Sequence, residues 1–176
     1  MIKKEKLALG GANRRGIKMQ VTIKKGVPER LEDYVDVMRD SALWDHYYVP
    51  DESLLRDTLA EGLRDGTVFI AETSSGEAAG LMICEWKGMF GLWPYLALLG
   101  VKKNYRGMGI GHQFLDTFEA IGRAMGVRNL FICVSGFNPR AKALYMSKGY
   151  KKVALISDLY KDGVNENVLM KKIGSS

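Results

Sequence analysis

The sequence predicts an α/β protein, built as an α+β sandwich: a mixed, mostly antiparallel sheet of about seven strands flanked by four helices. Three observations predict it. Strand and helix patterns follow one another as β-α-α-β-β-β-α-β-α-β-β over residues 19–174. Short turn signals, Ser74-Ser75-Gly76 and Asp162-Gly163, join neighbouring strand patterns, and such turns serve antiparallel pairs. One strand–helix–strand run, Trp93 to Val134, calls for a parallel crossover.

The 176 residues suit a single domain with a sizeable core, and 47% hydrophobic with 26% charged residues is ordinary for a globular chain. No apolar run reaches the roughly 18 residues of a membrane span. Leu7-Ala8-Leu9 is too short for a signal-peptide core, so a cytoplasmic protein is expected. Cys84 and Cys133 each lie in an apolar strand-like run and read as buried thiols rather than a disulfide. With only His46 and His112 besides, no metal site is expected.

The net charge of +6 is concentrated at the start of the chain. Residues 1–18 hold Lys3, Lys4, Lys6, Arg14, Arg15 and Lys18 against Glu5 alone. This stretch is glycine-rich and without a sustained period, so it reads as a disordered basic extension ahead of a domain spanning 19–174. Met19 is a candidate natural start. Neither nucleic acid nor membrane is expected as a partner.

Taken in order, Met19–Ile23 alternates as a half-buried strand. Pro28 opens a helix with a stripe of Leu31, Tyr34, Val35 and Met38. Ser41–Tyr48 is aromatic and irregular. Asp51 can cap the next helix, which carries Leu55, Leu59 and Leu63 and ends at Gly66. Thr67–Glu72 and Ala79–Trp86 form a hairpin, the second strand apolar at both parities from Leu81 to Cys84, as for a strand covered on both faces. Trp93–Val101 follows as a strand. Ile110, Phe114, Phe118, Ile121 and Met125 then mark a strongly amphipathic helix, and Leu130–Val134 a buried strand. Asn138 caps a helix with Pro139 in its first position, ending at Gly149. Tyr150–Tyr160 and Asn167–Ile173 are the last strands.

The most informative stretch joins the strand at Leu98 to the helix at Ile110. It holds Arg106-Gly107-Met108-Gly109-Ile110-Gly111, a glycine-rich turn at a helix start. Free backbone N–H groups and the helix dipole make such a turn an anion site, and missing side chains let a phosphate approach. The dinucleotide fingerprint fails, because its third glycine slot holds His112 or Phe114, and a P-loop lacks its Lys-Ser/Thr. A second constellation follows: Asn138, Ala141 and Tyr145, spaced three and four apart on one helix face. A phenol of pKa about 10 stays protonated at neutral pH and can serve as a general acid.

Arg106-x-x-Gly109-x-Gly111 followed by Asn138-x-x-Ala141-x-x-x-Tyr145 resembles the acyl-CoA signature of the GNAT superfamily of N-acetyltransferases. The resemblance covers most of Met19–Ile173, element order included. It implies a transferase that moves an acetyl group from acetyl-CoA to a primary amine of a small molecule, protein or peptide by direct attack. It implies that the amides from Arg106 through Gly107, Met108, Gly109 and Ile110 to Gly111 hold the pyrophosphate. The backbone of Leu99, Gly100 and Val101 would meet the pantetheine arm and polarise the thioester carbonyl. Asn138 and Ala141 would border that arm, and Tyr145 would protonate the leaving thiolate. The strand at Leu99 and the parallel one opening at Leu130 would splay apart to admit the cofactor.

One departure stands out. Many members carry a carboxylate on the strand before the turn as general base, but here that strand reads Leu96-Ala97-Leu98-Leu99. Glu85 on the neighbouring strand is the nearest candidate, with Asp45, His46 and Glu52 as others and an amine deprotonated by water as a further route. The missing carboxylate motivates an alternative, a non-catalytic acyl-CoA-binding regulatory module on the same fold. The acceptor pocket is expected from Leu43–Glu52, Glu85–Trp93 and the hairpin near Tyr160, and the chain is expected to be a monomer or homodimer.

Overall fold

Alternating apolar positions give the central sheet two faces to cover, and the computed structural model, which describes residues 8–12 and 18–174, covers each with a helix pair. The strands are β1 (Ala8–Ala12), β2 (Lys18–Lys25), β3 (Val68–Thr73), β4 (Ala78–Met89), β5 (Trp93–Val101), β6 (Asn129–Ser135), β7 (Lys151–Ser157) and β8 (Asn165–Lys172). The helices are α1 (Leu31–Met38), α2 (Ser53–Arg64), α3 (Ile110–Ala124) and α4 (Pro139–Ser147). Among the described residues the strands form one sheet in the order β1-β2-β3-β4-β5-β6-β8-β7. Only β5 and β6 pair in parallel.

Seven of these strands match the sequence expectation. The eighth, Ala8–Ala12, pairs antiparallel with β2 at the sheet edge, inside the stretch expected to be a disordered extension. The remainder of that stretch, residues 1–7 and 13–17, lies outside the described residues.

The core has two compartments. Met82, Cys84, Phe114, Phe118, Leu130 and Ile132 pack on the α3/α4 face. Tyr34, Met38, Leu55, Leu59, Leu81 and Ile83 pack on the α1/α2 face. β4 feeds both, which is why its run is apolar at both parities.

Two features of β5 position the site. Its hydrogen bonding to β6 is limited to Tyr95 opposite Phe131 and Leu96 opposite Ile132, so from Ala97 onward the two strands part. On its other edge, Ile83 pairs with Leu98 and Cys84 with Leu96, leaving Ala97 as the extra residue of a bulge. Leu96 consequently faces the α3/α4 compartment, Ala97 and Leu98 both face α1/α2, and Leu99 returns to α3/α4.

The segment expected to be irregular winds as a π-helical turn, Trp44–Tyr48, which swings Tyr47 toward the far end of β6 and β8. Asp51 accepts from the Ser53 N–H at the start of α2, as a capping carboxylate would.

Candidate active site

α3 begins with no side-chain cap. Gly109, at φ 81°, is its N-cap, and the first closing bond runs from Gln113 N–H to the Gly109 carbonyl. The preceding N–H groups of the first turn therefore have no partner within the helix and face outward. Gly107 also sits at φ 81°, and a Cβ there would meet no atom within 4 Å, so the turn is open to a ligand. Gly111 has a different reason to be glycine. A Cβ there would come 2.8 Å from Leu144 Cδ2, so it lets α3 and α4 approach.

Arg106 holds this turn rather than reaching freely from it. Its Nε donates to the Val101 carbonyl at 2.9 Å and its Nη2 to the Asp40 carbonyl at 2.6 Å. The end of β5, the end of α1 and the glycine turn are thereby tied into one wall. A cavity of about 820 Å³ opens beside it, lined by Arg106, Gly107, Gly109, Ile110 and Gly111 and by Leu99, Val101, Asn138 and Ala141. Met108 and Gly100 do not line it. Gly100 is buried against α1, where a Cβ would collide with Met38 Sδ.

A second cavity, of about 490 Å³, lies in the gap between β5 and β6. Leu99, Asn138 and Ala141 line both cavities, so the two are parts of one cleft. Asn138 Oδ1 accepts from the Ala141 N–H at 3.2 Å, capping α4 and leaving Nδ2 as its free donor. Tyr145 follows two turns further along α4, is only 5% exposed and lines the smaller cavity. Burial pushes its phenol pKa up, so it stays protonated across the physiological range.

Of the residues considered for the base, Glu85 lines the smaller cavity. Glu52 is engaged by Arg56 at 2.5 Å and Arg39 at 3.6 Å. The His46 ring stacks on Phe137 at 3.7 Å with Nδ1 2.8 Å from the Ala42 carbonyl. Asp45 does not line the cavity, and neither does any residue from Trp86 to Trp93. The remaining pocket expectations meet there: Leu43, Tyr47, Tyr48 and Tyr160 all contribute.

The sequence reading missed a second carboxylate. Glu166, on β8 opposite Ser135 of β6, is 2% exposed and lines the smaller cavity. Its Oε1 accepts from the Tyr47 hydroxyl at 2.7 Å, and Ser135 Oγ lies 3.1 Å from the same hydroxyl. Burial, opposed by the Ser135 contact and aided by Glu166, pushes the Tyr47 pKa up to about 12. The signal was parity: Glu166, Val168 and Met170 lie opposite Ser135, Cys133 and Phe131, so Glu166 continues the inward side of β8. The polar run Lys161–Asn167 masked it as a turn. Among the described residues no cluster of three or more His, Cys, Asp or Glu side chains could hold a metal ion.

A parallel strand pair that parts around a cleft, with a glycine turn of unpaired N–H groups at one end and a buried phenol at the other, is the architecture of an acyl-CoA-dependent acyltransferase. Residues 32–150 match the model of the acetyltransferase (GNAT) family, and the chain belongs to that family. This is an acyltransferase enzyme family, and membership implies use of acetyl-CoA. No curated sequence matches the chain. The fold is similar to that of a GNAT-family protein of Desulfovibrio desulfuricans, at TM-score 0.74 and 17% identity, over 88% of this chain and 99% of that one. It is also similar to a GNAT acetyltransferase of Bacillus cereus, at TM-score 0.68 and 15% identity over 86% and 96%. The ribosomal-protein-S18-alanine N-acetyltransferase of Escherichia coli superposes at TM-score 0.67 and 20% identity over 89% and 96%. No helix among the described residues is long and apolar enough to cross a membrane.

Proposed function

We propose that this chain transfers the acetyl group of acetyl-CoA to a primary amine by direct attack within the cleft. The observation that carries the reading is the shared wall of Leu99, Asn138 and Ala141, which joins the glycine-turn cavity to the one holding Tyr145. The glycine turn fits a pyrophosphate: Gly107 leaves space, the first-turn N–H groups face outward, and α3 adds its dipole. From there the pantetheine arm would run along Leu99 and Val101, where β5 has no partner strand to occupy its edge. Asn138 Nδ2 is available to that arm. The thioester would then lie beside Tyr145, with backbone N–H groups near Leu99 polarising its carbonyl.

Tyr145 acts as general acid, donating its proton to the sulfur as the carbon–sulfur bond breaks. Its raised pKa keeps the proton in place until thiolate develops. Glu85, facing the same cavity from β4, is the base that sequence position suggests. The alternative of a non-catalytic acyl-CoA-binding module rested on β5 lacking a carboxylate. Glu85 on β4 and Glu166 on β8 bring two carboxylates to the same cavity, which favours the enzyme.

The test is Tyr145→Phe. We expect kcat to fall by about 10²-fold or more while acetyl-CoA affinity is retained. Unchanged turnover at saturating substrates would remove Tyr145 from the mechanism.

A further inference from the structure

We propose that Glu166 is the docking point and proton acceptor for the acyl acceptor, and that the acceptor is a compact primary ammonium ion. The proposal rests on the acetyl-transfer reading above and names the residue and the substrate charge that reading leaves open.

A carboxylate withdrawn from bulk water is unfavourable unless a cation or hydrogen bonds compensate it. Glu166 has no cation, and its one hydrogen bond, from Tyr47, goes to Oε1. Oε2 accepts none among the described residues and is not sealed from the cavity that Glu166 lines. No Lys, Arg or His of the described residues pairs with it, although such pairs are plentiful elsewhere on the chain. Lys161 borders the same cavity but donates its Nζ to the His46 carbonyl at 2.9 Å. The groups nearest Glu166 are neutral: Tyr47 from the π-helical turn, Ser135 and Cys133 from β6, Ile156 opposite it on β7, and Tyr160 from the β7–β8 hairpin; the charged side chains on the cavity are Glu85, a second carboxylate, and Lys161, whose ammonium is held by the His46 carbonyl. A positive charge is the complement this site lacks.

The walls fit what would carry that charge. Tyr47 packs edge-on to Tyr160, their ring centroids 6.3 Å apart, and the Tyr95 and Tyr160 hydroxyls meet at 3.0 Å. Aromatic faces attract an ammonium and cover an apolar stem. The volume of about 490 Å³ is that of a small-molecule site.

The step balances as follows. An ammonium N–H bond breaks and its proton passes to Glu166 Oε2, freeing the nitrogen lone pair. That pair forms the bond to the acetyl carbon. The carbon–sulfur bond breaks, and sulfur takes the phenolic proton of Tyr145. The second nitrogen proton returns to the Tyr145 oxygen, and Glu166 gives its proton to water. Ammonium and acetyl-CoA become amide, free thiol and a released proton.

The test begins with thiol release by the wild-type chain over alkyl- and arylalkylamines, each matched with the alcohol of the same shape. Glu166→Gln keeps an acceptor for Tyr47 and removes the charge. We expect it to lower kcat/KM for amines by about 10²-fold or more near neutral pH, with acetyl-CoA affinity retained. Its rate should also keep climbing with pH up to the amine's own pKa, whereas the wild-type rate levels off at lower pH. Unchanged kcat/KM and an unchanged pH profile would make Glu166 a structural clamp for Tyr47 and overturn the proposal. So would the same loss appearing in Glu85→Gln instead. Should Glu166→Gln melt early, the wild type still decides. With CoA bound it should hold an amine about tenfold or more tighter than the matched alcohol, as expected for a hydrogen bond to a charged group, and equal affinities would overturn the proposal. If the wild type binds acetyl-CoA but releases no thiol with any amine, the acetyl-transfer reading itself fails, a result distinct from a failure at Glu166.

Discussion

Single residues at this site take their roles from what surrounds them more than from their type. Arg106 carries a full positive charge beside the glycine turn, yet its guanidinium is fastened to two backbone carbonyls, so its first effect is to hold the turn. Tyr47 bridges Ser135 and Glu166, and that arrangement leaves a pH signature. Its pKa is pushed up to about 12, mainly by burial, against a usual tyrosine value near 10. Between these values the unfolded chain releases a proton that the folded chain keeps, so the unfolded state binds fewer protons and stability falls as pH rises. The contribution is complete below pH 10 and lost through pH 12. Melting temperatures followed over this alkaline range should fall less steeply for Tyr47→Phe than for the wild type. The same slope in both would place the alkaline sensitivity in the other buried tyrosines.

At the scale of elements, β5 does most to build the site. Its bulge at Ala97 turns Ala97 and Leu98 to the same compartment, at the point where β6 departs. The neighbouring strand must come close for this. A Cβ on Gly80 would lie 2.9 Å from the Gly100 carbonyl and 3.0 Å from Phe114 Cε2. Backbone does not yield as a side-chain end does, so Gly80→Ala should cost about 1–3 kcal/mol, measured by denaturant unfolding. It should also weaken acetyl-CoA binding by shifting the strand edge beside Leu99 and Val101. Much of this architecture was legible in the sequence, because period and punctuation write it locally. The stripe from Ile110 to Ile121, the cap at Asn138 and the double-sided run Leu81–Cys84 stand where their patterns put them, whereas Met125, expected to end the stripe, caps α3 and is exposed. The glycine turn was legible for the same reason. What stayed hidden depends on contacts distant in the chain. Nothing local in Trp44–Tyr48 announces a π-helical turn whose tyrosine meets Glu166, 119 residues away. The bulge at Ala97 shows only once β4 is set beside β5.

For the molecule as a whole, neighbouring strands among the described residues share five or more register pairs everywhere except along one seam. β5 and β6 share two register pairs, and beyond them each is held only by its other neighbour, β4 or β8. The seam is where the chain can accommodate a ligand without unpacking either compartment of the core.

The cleft through that seam has one wall common to its two cavities, and this bears on the order of events in time. On the proposed reading, donor and acceptor would each have a chamber, and the chambers meet at Leu99, Asn138 and Ala141. Neither substrate would then have to leave before the other arrives, and no acetylated form of the protein would be called for as a waypoint. Initial velocities measured at several fixed acetyl-CoA concentrations should therefore give double-reciprocal lines that intersect. Parallel lines would mean that the acetyl group pauses on the protein, and that the two chambers are visited by turns instead of together.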